Sequence, residues 1–298
     1  MRIPRESVVY AMDKANAPVL RVEGGAVVAF ETVDAFGGQI RERHQTLAAL
    51  DWSRVNPATG PLYIAGAEAG DTLRVDILGI EVAEQGVLAA IPGAGLFGDR
   101  VQEGEVKLVS LNGGTAQLSE RISVPIKPMI GVIGVAPAGE SEGCGVPGPH
   151  GGNMDNARIT ANTTLYLPVF VPGALLAIGD LHAVMGDGEV MVTGVECSGV
   201  VTVRVDVIKG MLIANPRHED ALFFYTIASH ADLDQAVRMA ANDMLDIVMQ
   251  KLGLPLNEAG MLLSTLGNAE ICQVVDPKMT ARFAVPRWLF GTNYSSIL

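Results

Sequence analysis

The chain has 298 residues, 49% hydrophobic and 18% charged, which supplies a large core and excludes a disordered chain. Its formal net charge of −12 argues against nucleic acid or an anionic membrane as a partner, since both need a basic field and no Lys/Arg cluster provides one locally. Cys144, Cys197 and Cys272 form no C-x-x-C pair, so neither a disulfide framework nor a thiolate metal site is expected, and a reducing cytoplasm is the expected location.

Met1 to Leu20 carries Glu6, Asp13 and Lys14 where a signal peptide would be apolar, so no export signal is expected. The 34 glycines and 16 prolines cut the rest into short pieces that alternate with period two, which predicts a mainly β protein. The first strands are expected at Ala26–Val33 and across Leu73, Val75 and Ile77, whose polar neighbours Arg74 and Asp76 suit a sheet with one face in solvent. Glu31, Asp34, Asn56 and Glu68 surround turn-like segments and read as structural. Val106–Val109 is the next strand candidate. Pro125 to Pro149, rich in Pro and Gly, is the expected internal boundary and also a candidate active-site loop. It divides the chain into an N-terminal β subdomain, 1–140, and a second, 141–298, intimately packed on it.

Leu165 to Ile178 is the longest apolar run, yet it is too short for a bilayer span and contains Pro168, Pro172 and Gly173. Asp187-Gly188 is expected at the tip of a hairpin joining His182–Met185 to Glu189–Val195. Val201, Val203, Val205 and Val207 alternate with Thr202, Arg204 and Asp206 as a further one-sided strand. After Pro216 the period changes. Asp232–Leu252 predicts an amphipathic helix capped by Ser229 or Asp232 and stopped by Gly253 and Pro255. A short helix is expected over Glu258–Leu266, and a strand from Ile271 through Val275. The expected architecture is jelly-roll or barrel-like β parts with a helical hairpin near the C-terminus.

The chemistry concentrates between Pro149 and Glu196. His150, Asp155, Asp180, His182, Asp187, Glu189 and Glu196 punctuate an otherwise apolar stretch, where an unpaired buried charge is costly. Asp180 and His182 are two residues apart on a strand-like run, so both side chains leave one face and form half of a mixed N/O metal site. Asp155 is the first choice for a third ligand. The same pair also fits a turn-capping aspartate and a hydrogen-bonded core histidine. Glu196, in a strand with little other polarity, would need a metal or a hydrogen-bond partner if it faces inward, and burial would raise its pKa toward the range of a general base. Asp187 fits a turn and Glu189 is undecided, although both compete with Glu196 for the role of base. Gly151 and Gly152 allow backbone N–H groups to approach a substrate oxygen, or simply make a tight turn. No G-x-S-x-G elbow, Walker loop, Rossmann fingerprint or H-E-x-x-H occurs. Cys144, in Gly-Cys-Gly, lacks an identifiable base.

Several motifs, in order, carry a resemblance that spans nearly the whole chain. They are Asn56-Pro-Ala-Thr-Gly-Pro-Leu-Tyr with Gly66-Ala-Glu-Ala-Gly-Asp71, Gly151-Gly-Asn-Met-Asp155, Leu165-Tyr-Leu-Pro-Val169, Gly179-Asp-Leu-His-Ala183, Gly186-Asp-Gly-Glu189 and Gln273-Val-Val-Asp-Pro277. The sequence resembles the acetamidase/formamidase family. The resemblance implies hydrolysis of short aliphatic amides to carboxylate and ammonia in a largely β fold, with a divalent metal at the matching positions Asp155, Asp180 and His182. Mixed His/carboxylate ligation favours Zn, with Ca, Fe or Mn as alternatives.

On this reading Glu196 is the base, Asn153 or the Gly151-Gly152 backbone stabilises the oxyanion, and His150 joins these glycines in lining the substrate. The expected partner is a small neutral amide, with self-association into a homodimer or larger homo-oligomer. Two rivals are a metal-dependent hydrolase or lyase acting on another amide, imide or ester, and a non-enzymatic β module with a structural metal.

Overall fold

The computed structural model describes residues 1–42 and 44–291. The protein is mainly β: among the described residues, 18 strands pair into one continuous network, and they do not close into a barrel. The strands that position the site are β1 (Val27–Thr32), β2 (Ala58–Ile64), β3 (Thr72–Ala90), β4 (Glu105–Asn112), β5 (Met129–Gly134), β6 (Gly151–Asn153), β7 (Thr163–Pro168), β8 (Leu176–His182) and β9 (Glu196–Ile208). Alternation builds β9 as expected. Val201, Val203 and Val205 are fully buried in the main core, while Arg204 reaches outward to Asp76 at 2.7 Å.

Strand pairing crosses between residues 1–140 and 141–298. β9 pairs antiparallel with β3 from Glu196↔Val87 to Ile208↔Thr72, and with β1 at Gly199↔Thr32. β8 lies between β5 and β2, with Val132↔Gly179 on one side and Gly179↔Ala58 on the other. Within 125–149, β5 is buried at every position, so this Pro/Gly-rich stretch delivers a central strand.

The C-terminal part is built on β10 (Arg217–Glu219), β11 (Phe223–His230), β12 (Asn268–Gln273) and β13 (Met279–Pro286), with β11 and β12 on either side of β13. Helices α1 (Leu233–Leu252) and α2 (Leu256–Leu266) bury Met244, Ile247, Val248, Ala259 and Leu263 with Phe224 and Val285. α1 starts where its cap predicts: the Asp232 carboxylate accepts from the Gln235 N–H at 3.1 Å, and Gly253 ends it in the left-handed region. The second helix begins two residues before the expected Glu258, and the following strand occupies 268–273 instead of 271–275.

The hairpin expected at 182–195 does not form. β8 ends at His182, β9 begins at Glu196, and Val190–Val195 is not a strand. The two strands still pair at His182↔Glu196, so a 183–195 loop replaces a tight turn. The loop is drawn toward the C-terminal part: the Gly188 N–H donates to the Cys272 carbonyl at 2.8 Å, and the Gly188 carbonyl accepts from Val274 at 3.2 Å. Backbone bonding to a distant strand outweighs the local Asp-Gly turn preference.

Candidate metal centre

The register of β8 and β9 sets His182 directly opposite Glu196, and their side chains meet with Nε2 3.1 Å from Glu196 Oε1. Asp180 Oδ1 lies 3.4 Å from the same nitrogen, Asp155 Oδ1 3.8 Å and Glu189 Oε1 3.9 Å. All five residues are buried. One candidate ligand atom from each of Asp155, Asp180 and His182 falls within 4.8 Å of the others, and the same holds for His182, Glu189 and Glu196.

The backbone bends to bring these groups together. Asp155, Asp180 and Glu189 have φ of 40°, 52° and 48°, a left-handed conformation that aspartate tolerates better than most residues and that clusters at functional sites. Regular alternation along β8 therefore does not by itself place Asp180 beside His182. Gly131 leaves the space for two carboxylates: a Cβ there would lie 2.6 Å from Asp180 Oδ2 and would collide with Asp155 Oδ1. On the other side of the imidazole, a Cβ at Gly194 would stand 2.5 Å from Nδ1, and Met185 Sδ lies 3.3 Å from that nitrogen. The ring is thereby held with Nε2 toward the carboxylates.

The donor set fits a cation. Asp155 Oδ1 and Oδ2, Asp180 Oδ1, His182 Nε2 and Glu196 Oε2 are buried without a hydrogen-bond partner. One imidazolium offsets one of four carboxylates, and the rest require protons or a metal ion. Burial and neighbouring like charge push the carboxyls of Asp155, Glu189 and Glu196 well above the usual range. Asp180 goes the other way: burial pushes it up, but the adjacent His182 more than offsets this and holds it low. The same partners, Glu196 and Asp180, raise His182 well above an ordinary imidazole against the effect of its burial.

Asp155, Asp180, His182 and Glu196 thus converge, and Glu189, undecided from sequence, joins them. Asp187 is turned away: its carboxylate pairs with Arg282, Oδ2 to Nη2 at 2.5 Å and Oδ1 to Nη1 at 3.0 Å. Asn153 donates its amide to Asp276 Oδ2 at 2.9 Å, and its own Oδ1 is buried without a partner.

Asp276 was not singled out from the sequence beyond its place in the Gln273–Pro277 motif. Burial and the charges of Glu189 and Asp180 raise its pKa well above the carboxylate range. The Gln273 side chain shapes the turn that carries it, accepting from the Val275 and Asp276 N–H groups at 2.8 and 3.0 Å.

Gly151 and Gly152 have φ of 91° and 77°, and a Cβ on either would strike a backbone carbonyl, Ile133 O or Val146 O. The Gly151 N–H donates to Gly148 O at 3.0 Å. His150 packs against Gly148 and Gly152, and burial lowers its pKa to about 4, leaving a neutral imidazole. Burial pushes the Cys144 thiol up to about 12, which removes it as a nucleophile. Among the described residues no helix is long and apolar enough to cross a membrane.

A mainly β scaffold that buries four carboxylates around one imidazole defines a protein able to hold a metal ion in its interior. The chain belongs to the acetamidase/formamidase family, whose model matches residues 14–144 and 138–292. It is similar to the acetamidase from Bacillus halodurans of known crystal structure, at 45% identity and a TM-score of 0.96 over 97% of this chain and 98% of that one. A putative formamidase of Schizosaccharomyces pombe is 26% identical over 63% of this chain. The match spans 61% of that relative's own length. A formamidase of Methylophilus methylotrophus is 24% identical over 91% of this chain and 86% of its own length.

Proposed function

We propose that this chain is an amidohydrolase that converts short aliphatic amides, with formamide and acetamide first among them, to the carboxylate and ammonia. The observation that carries the reading is the set of buried, unpartnered donor atoms of Asp155, Asp180, His182 and Glu196, in a chain of the acetamidase/formamidase family. Asp155, Asp180 and His182 are assigned to hold a divalent cation, with Zn the first ion to test and Ca, Fe and Mn next. When bound, such an ion would polarise the amide carbonyl and lower the pKa of water toward about 7.

Glu196 is assigned as the base. Its raised pKa suits it to take the proton of the attacking water and hold it near neutral pH. It then delivers that proton to the nitrogen as the C–N bond breaks and the new C–O bond is retained, so nitrogen leaves as ammonia. Glu189, 3.9 Å from His182 Nε2, helps to fix the imidazole. Asn153, with one amide donor committed to Asp276, is assigned to the carbonyl oxygen through its remaining N–H. A cytoplasmic location and a homodimer or larger homo-oligomer belong to the same proposal.

Ammonia release from formamide and acetamide, measured before and after chelation with metal content determined on the same sample, tests the reading. Release that falls at least a hundredfold on chelation and returns with added metal is expected. A metal-replete sample that releases no ammonia from either amide overturns the short-amide assignment.

A further inference from the structure

An imidazole has two nitrogens, and a cation binds the one that carries no proton. At His182 the four carboxylates gather on the Nε2 side, at 3.1 to 3.9 Å, so a ring that binds a cation among them carries its proton at Nδ1. His182 is fully buried, and a buried N–H needs an acceptor. Met185 Sδ stands 3.3 Å from Nδ1. A thioether sulfur has no hydrogen to give, so this contact is a hydrogen bond when the proton sits on Nδ1.

The fold holds the sulfur in place. Met185 lies at the start of the 183–195 loop, whose ends are tied together: the Ala183 N–H donates to Val195 O at 2.8 Å, and the Val195 N–H donates to Val184 O at 2.9 Å. The middle of the loop is tied by Asp187 on Arg282 and by Gly188 on β12. Gly194 leaves the ring its room, since a Cβ there would lie 2.5 Å from Nδ1 and 2.7 Å from the ring Cγ. Its N–H is held on Glu189 Oε1 at 3.1 Å. Met185 is half-buried and also lines a surface hollow of about 260 Å³ with Val184, Val190 and Val195. A much smaller residue would admit water from that hollow, and water would replace the sulfur as acceptor.

We infer that Met185 is a positioning residue of the candidate centre: its sulfur accepts the Nδ1–H of His182 and so presents Nε2 as the cation-binding nitrogen. The inference rests on the cation-binding part of the proposed function and adds to it the residue that sets the tautomer. Metal-bound histidines donate their second N–H to a carboxylate, a carbonyl or water. Here a polarizable thioether takes that place. Because sulfur is a weak acceptor, the side-chain oxygen of a glutamine can do the same work, whereas leucine fills the space and leaves the N–H unpaired.

The test is Zn²⁺ binding by the metal-free full chain, with Mn²⁺ and Ca²⁺ as further probes, read by competition with a chelating dye. Met185→Leu is expected to weaken binding about 10- to 100-fold, and Met185→Gln to bring it back to within about threefold of the parent. In the zinc-loaded parent, ¹⁵N NMR should find the His182 proton on Nδ1 and the metal on Nε2. A leucine variant that binds as tightly as the parent overturns the positioning role and leaves the metal centre standing. Equal weakening in both variants does the same, because it assigns Met185 to packing alone. A parent that binds none of the three ions overturns the metal centre, and the positioning role with it. If Met185→Leu does not fold, the tautomer decides: a proton on Nε2, or metal on Nδ1, overturns the inference.

Discussion

Two buried clusters of charge sit on either side of the 183–195 loop, and they are balanced in opposite ways. Around Arg282, only 1% exposed, one guanidinium meets Glu270 at 2.6 Å, Asp187 at 2.5 Å and the Asn156 side-chain oxygen at 2.8 Å. Around His182, one imidazole meets four carboxylates and several donor atoms have no partner. Asp187 and Glu189 are two residues apart yet serve different clusters, as do the neighbours Asn156 and Asp155. A buried ion pair with good geometry completes itself, while a surplus of buried carboxylates must be completed from outside. The first cluster is thus a clamp that orients two segments of the second, and the second is the one whose buried donors could hold a metal ion.

Substitutions that act on one cluster alone should separate these roles. The largest effect is expected from Glu196→Gln, which keeps the shape and removes the proposed base. kcat for acetamide should fall about 10²- to 10⁴-fold, with KM changing far less, and steady-state ammonia release measures both. If activity stays within a few-fold of the original, the base is another carboxylate, and Glu189→Gln is the next variant.

Arg282→Met removes the clamp's single cation and leaves Glu270 and Asp187 facing each other's segments unpaired. Breaking a buried pair costs roughly 3–5 kcal/mol. Because the Asp187 side chain is 42% exposed, the lower end, about 3 kcal/mol, is expected in urea unfolding. Metal affinity should weaken as Asp155 and Glu189 lose their support. A variant as stable as the parent would show that the clamp contributes nothing net.

His218 sharpens the comparison, because it is a buried orphan that carries no charge. Both of its ring nitrogens are buried without a partner, and its ring lies 5.2 Å from that of Tyr225. Burial lowers its pKa to about 3, with Asp220 opposing and Arg282 and Arg158 assisting. A folded-state pKa below the unfolded value of about 6.5 means that this residue leaves stability untouched above that pH. It takes stability away as pH falls from there toward 3, since the unfolded chain binds the proton first. Between pH 7 and 5 the loss attributable to it is roughly 2 kcal/mol. Replacing His218 with Leu should reduce the acid-induced loss by that amount, read from urea midpoints at the two pH values. An unchanged acid limb would show that the imidazole is protonated in the fold.

Legibility from sequence followed the range of the interactions. α1 was legible, with its cap narrowed to Ser229 or Asp232, because its cap, its apolar spacing and its terminating glycine are all local. β9 was legible because one face is buried and the other is not. Asp155, Asp180, His182 and Glu196 stood out because charge is rare in an apolar stretch. Asp187 stood out for the same reason, but nothing local revealed that Arg282, 95 residues away, would take it. Asp276 was hidden because its carboxylate enters from a turn beyond β12.

The sequence by itself determined a mainly β body, a capped amphipathic helix and an inventory of donors able to bind a cation, because each follows from periodicity or composition within a short window. Only the tertiary structure decided which donors converge. The β8–β9 register set His182 against Glu196, the missing side chain of Gly131 made room for two carboxylates, and bonding of Gly188 to β12 replaced the expected hairpin with a loop that carries Glu189 inward. These are contacts between segments far apart in the chain, and no local pattern encodes the order in which strands pair.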